Sequence, residues 1–201
     1  MRFIKSLWQV GSSQIKFFFV VLLGYLLQVC VMPYVRFGSV TPSLLFALVG
    51  VITIGYGKLR ALWVGCIYGI LMEIMQPTIP MLNLVLYPLS AAFLSMFFAD
   101  KSEKRLEYER SIGKAGRNVN SYLRTMGCAA SNTLIYEIVN VLYMYLSGAV
   151  LTGGNLSKSL LNIFWTTVLT TLIMLPVRRF LGFKRQKKDK QPVKHYQPGR
   201  I

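Results

Sequence analysis

The stretch KLRALWVGCIYGILMEIMQPTIP, residues 58–80, decides the fold. It opens with Lys58 and Arg60, runs apolar, and carries Gly65, Gly69 and Glu73 at four-residue spacing before Pro77 and Pro80 close it. On a helix, positions i, i+4 and i+8 share one face. Two glycines on that face let another helix come close, and the acid one turn on is a costly polar group in apolar surroundings. The pattern predicts a membrane helix with one packing face and one buried polar contact.

The rest of the chain agrees with that reading. Of its 201 residues, 54% are hydrophobic and only 15% charged, and mean hydropathy is +0.48, which is more apolar than a soluble domain of this size. The apolar residues come in blocks approaching the ~20 needed to cross ~30 Å of hydrocarbon. The blocks predict spans over about 17–32, 43–54, 61–75, 82–98, 125–146 and 160–175. Every backbone group in lipid must be satisfied internally, so all spans are expected to be helical. The fold class is therefore all-α, a polytopic membrane bundle of six transmembrane helices. Residues 1–16 form a short N-terminal segment, 17–181 the transmembrane domain with a polar loop over 99–124, and 182–201 a basic tail. Thr41-Pro42 is expected to open the second span, with Pro42 suited to a first helical turn. Pro88 should kink the fourth, and Pro176 with Arg178 and Arg179 should stop the sixth.

The net charge of +16 raises nucleic acid as a partner, but its placement excludes that reading. Lys and Arg cluster at the ends of apolar blocks, and 21 of the 23 fall on the side of the N-terminus, leaving Arg36 and Lys158 on the other. The positive-inside rule then puts both termini in the cytoplasm. Cys30, Cys66 and Cys128 are isolated, no CxxC occurs, and His195 is the only histidine. A thiol–imidazole metal site or Cys–His catalysis is not expected, nor any cofactor.

Two acids lie inside the spans. Glu73 is 13 residues past Arg60, and Glu137 is 13 past Arg124. At ~1.5 Å per residue, both sit roughly 20 Å from the cytoplasmic face. An ionised acid there costs at least ~2.5 kcal/mol, so each must be protonated, hydrogen-bonded to groups such as Asn83, Tyr136 or Asn140, or open to a cavity. The expectation is that they share an outward-facing polar pocket. A second small-residue face, Gly127 with Ser131, begins the fifth span.

These residues resemble a known family. Thr41-Pro42-Ser43-Leu44-Leu45, Gly57, the run from Gly65 to Glu73, Asn83 with the apolar residues after it, Glu137, and Leu175-Pro176 before Arg178-Arg179 are similar to MreD, the multi-span rod shape-determining protein of bacteria. The sequence departs from that pattern in carrying Glu73 in place of the usual Asp, and Pro80-Met81-Leu82 where Leu-Gly is expected before Asn83. The resemblance implies a fold similar to the substrate-binding subunits of energy-coupling-factor transporters. It also implies a non-catalytic scaffold of the cell-elongation and peptidoglycan-synthesis machinery in the bacterial cytoplasmic membrane. Its implied partner is an MreC-like bitopic protein, in an assembly with MreB, RodA and a class B penicillin-binding protein. Pro42, Gly65, Gly69, Glu73, Asn83, Gly127, Ser131, Glu137 and Asn140 are the candidate packing and partner-binding residues. The basic tail is expected to attract anionic lipid at ~1 kcal/mol per residue. The competing reading is a vitamin-binding subunit of such a transporter.

Overall fold

A computed structural model describes residues 2–75, 80–99, 120–148 and 152–182, with side chains from Gln14 onward. Among these residues there is no named strand, and the chain is all-helical. The helices are α1 (Arg2–Cys30), α2 (Leu44–Tyr56), α3 (Lys58–Met75), α4 (Leu82–Phe98), α5 (Ser121–Leu146) and α6 (Gly153–Phe180), with one 3-10 turn at Met32–Tyr34. Among the described residues, two segments are long and apolar enough to cross a membrane, Gln14–Tyr34 and Gly153–Phe180.

Successive helices alternate in direction. At one end, here the basic end, Phe17 of α1 stacks edge-on with Tyr56 at the close of α2. At the same end Arg124 in the first turn of α5 donates to the carbonyls of Phe98 and Ala99 at the close of α4. Arg178 near the close of α6 donates to Ser121 Oγ at 2.7 Å. At the opposite, distal end, Gln28 of α1 meets the start of α2, and Glu73 of α3 meets the start of α4. The helix pairs are therefore antiparallel hairpins, as short connections between packed helices require.

Helix α2 is the axis. It packs against every other helix, and all its residues from Leu44 to Ile54 are buried. A helix apolar all round belongs in the middle of a bundle. Glycines set the closest approaches. A Cβ on Gly50 would lie 3.2 Å from both the Thr125 carbonyl and the Ala129 amide nitrogen, so α5 presses backbone to backbone on α2. A Cβ on Gly24 would fall 2.0 Å from Leu48 Cδ1.

The helix ends depart from the sequence reading in several places. α1 starts at Arg2, not near residue 17, because polar residues such as Gln9, Ser12 and Ser13 end an apolar block yet do not break a helix. α6 runs through Pro176 to Phe180, with no stop at the proline; a proline removes one helical hydrogen bond, which neighbouring groups can offset. At its other end the helix begins at Gly153, not near residue 160. Pro88 lies inside α4, as expected. Pro42 is buried but lies two residues ahead of α2, behind the N-cap Ser43. The polar loop falls outside the described residues between 100 and 119, as does the tail beyond Gly182.

Candidate functional site

The residues of the opening stretch come together in one joint between α3 and α4. A Cβ on Gly65 would sit 2.9 Å from both Pro88 Cα and the Tyr87 carbonyl. One on Gly69 would sit 2.8 Å from the Asn83 carbonyl and 3.4 Å from Pro88 Cδ. The two glycines therefore form the seat for Pro88, and this face is consumed inside the chain. One turn further, Glu73 Oε1 accepts from the Met81 amide at 2.6 Å, and Oε2 accepts from the Asn83 amide at 3.2 Å. The first-turn amides of a helix have no partner within it, and its positive dipole end favours an anion. Glu73 fills that role for α4 from a different helix. It also holds Met81, a non-glycine residue with left-handed backbone (φ 62°), a conformation that costs roughly 1–2 kcal/mol.

The start of α2 is capped in the same manner. Leu44 N–H donates to Gln28 Oε1 of α1 at 2.6 Å, and Ser43 N–H donates to Thr166 Oγ1 of α6 at 3.1 Å. Thr167, Thr170 and Thr171 instead donate to carbonyls four residues back in α6.

Glu137 lies apart from Glu73. Its Oε2 accepts from Ser159 Oγ at 2.7 Å and its Oε1 from Asn162 Nδ2, both on α6. With Asn140 of the same helix it forms one wall of a polar cleft of about 220 Å³ between α5, α6 and the segment 39–41, with Asn155 and Lys158 on the α6 wall. Glu73 does not line this cleft. The expected shared pocket is thus corrected to two separate sites: one acid caps a helix, the other faces an opening. Between them, Asn83 Oδ1 lies 3.5 Å from the hydroxyl of Tyr136, the residue next to Glu137. The physical reason is that the first amides of α4 have no partner within their own helix and take Glu73, whereas Glu137 is held by side chains of α6.

Of the remaining candidates, Gly127 faces the Phe98 ring edge, with 3.0 Å to an added Cβ, and Ser131 is half-buried. The tight small-residue contact on α5 is made instead by Thr125 and Ala129 against Gly50. Sequence reasoning also missed Gln28 and the pair Ser159–Asn162. The latter carried a signal: Ser159, Asn162, Thr166 and Thr170 recur at three- and four-residue intervals and mark one polar face of α6. Gln28 carried none, because a lone amide near a helix end does not say which neighbour it caps.

Comparisons with protein-family models, curated proteins and solved structures found no match to this chain.

Proposed function

We propose that this chain is an integral membrane protein that crosses the bilayer six times, with both termini in the cytoplasm. In this reading it acts as a non-catalytic scaffold of the MreD kind, holding an MreC-like bitopic partner within the cell-elongation machinery. The observation that carries the membrane part is the arrangement of polarity. Large apolar side chains stand exposed on each of the five outer helices: Leu22 on α1, Trp63 on α3, Phe93 on α4, Leu142 on α5 and Phe164 on α6 are all more than half exposed. Polar groups such as Asn83, Asn132, Thr133 and Thr170 lie fully inside. Water rejects such a surface and hydrocarbon accepts it. The short α2, 13 residues long and buried from Leu44 to Ile54, fits as well, because non-helical backbone flanking it at membrane depth is tolerated where protein surrounds it.

Charge sets the orientation. Lys16, Lys58, Arg60, Arg124, Arg178 and Arg179 lie at the basic end, against Arg36 and Lys158 at the distal end. The basic end is therefore cytoplasmic.

The scaffold part rests on the resemblance, whose core residues Gly65, Gly69, Glu73 and Asn83 form a single structural joint. The surface for a partner is the distal hairpin. α5 continues nine residues past Glu137 to Leu146, about 13 Å, and presents Tyr145 and Leu146, 62% and 74% exposed. Co-purification in mild detergents tests this: an MreC-like protein accompanies the chain, and its absence across several detergents contradicts the scaffold. The polar cleft favours the second reading, a solute-binding subunit of a vitamin transporter. A vitamin retained stoichiometrically after purification would establish that reading in place of the scaffold.

A further inference from the structure

The cleft at Glu137 has a polarity of its own. Glu137 is 9% exposed, and its two hydrogen-bond partners, Ser159 and Asn162, are both neutral. Each carboxylate oxygen keeps a further lone pair, and a carboxylate so far removed from water gains most from a cationic donor. On the adjoining wall, toward the start of α6, stand Asn155 and the exposed Lys158, next to the positive end of the α6 dipole. One side of the opening is therefore negative and the other positive. A single carboxylate falls short of the coordination a divalent cation needs.

We propose that this cleft binds a small zwitterionic group, a primary ammonium beside an anionic phosphate or carboxylate. The ammonium donates to Glu137 and to the side-chain oxygen of Asn140, and the anion faces Lys158 and Asn155. A primary ammonium has three donors, whereas a quaternary one has none, so the site discriminates ethanolamine-type from choline-type groups. A volume of about 220 Å³ accommodates either a free small amino acid or the headgroup of an ethanolamine phospholipid. Only the lipid source rests on the membrane reading.

The test uses the full chain, purified in detergent and stripped of lipid, with thermal unfolding as the readout. The soluble probes are O-phosphoethanolamine, glycine and phosphocholine. The lipid probes are mixed micelles of phosphatidylethanolamine, phosphatidylcholine or phosphatidylglycerol. The ethanolamine-bearing or amino-acid probes raise the midpoint by several degrees and the choline and glycerol probes do not. Stabilisation by a soluble probe identifies a free zwitterion, and stabilisation by the lipid alone identifies the headgroup. Glu137→Gln abolishes the discrimination. Lys158→Ala, an exposed position that leaves folding intact, weakens apparent affinity about five-fold. Equal shifts from ethanolamine and choline forms, no shift from any probe, or discrimination that survives both substitutions would overturn the proposal. Because the soluble arm needs no bilayer, these outcomes are separable from failure of the six-span topology.

Discussion

Replacing Glu73 by Ala removes the cap on α4, and the cost follows from what each freed amide meets. Asn83 is only 1% exposed, so its N–H loses a charged acceptor with little water to replace it, about 1–3 kcal/mol. Met81 is 67% exposed, so water takes its N–H, but the left-handed backbone loses its anchor, on the order of 1 kcal/mol. Loss of the anion at the helix start adds ~0.3–1 kcal/mol. The expected destabilisation is about 2–5 kcal/mol, or roughly 5–20 °C in midpoint for a chain of this size. Glu73→Gln keeps one acceptor oxygen and should lose less than half of that. The assay is thermal unfolding of purified protein in one detergent, followed by circular dichroism. If Glu73→Ala melts with the wild type, or Glu73→Gln melts below Glu73→Ala, the carboxylate is not the cap and the α3–α4 joint is misread.

Gly65→Val drives a side chain into the backbone of Tyr87 and Pro88 and should cost ~1–3 kcal/mol or prevent accumulation, while Gly153→Ala, with nothing within 4 Å, melts with the wild type; both are read from the same unfolding curves. Arg124→Gln withdraws the cation that ties α5 to the last carbonyls of α4, and should lower stability by about 1–3 kcal/mol in the same scan. Gln28→Leu leaves the Leu44 amide at the start of α2 without its acceptor; the predicted loss is ~1–2 kcal/mol, and Gln28→Glu should retain most of the stability.

The bundle was largely legible in the sequence, since α4 begins and ends where its apolar block does, and α2 and α3 differ by a few residues. Apolar blocks mark where a helix sits in lipid, not where its hydrogen bonds end. That is why α1, α5 and α6 extend into polar or glycine-bearing flanks that the hydropathy pattern discards. The glycine pair was legible as a close-packing face, and its occupant, Pro88, was a residue already noted for a different reason. That both acids lie within helices followed from counting residues along the apolar blocks. Their separate roles did not, because a helix capped by a side chain from another helix leaves no local pattern. It depends on which helix starts beside which acid, and that is a property of the packing.

The central claim is an even number of crossings with the basic end in the cytoplasm. The direct measurement is labelling of single cysteines by a membrane-impermeant maleimide in intact cells, with Cys30, Cys66 and Cys128 replaced. A cysteine at Lys158 should react from outside, while cysteines added at the two chain ends should react only after permeabilisation. Chain ends that label from opposite faces, or a Lys158→Cys that labels only in permeabilised cells, would contradict the account.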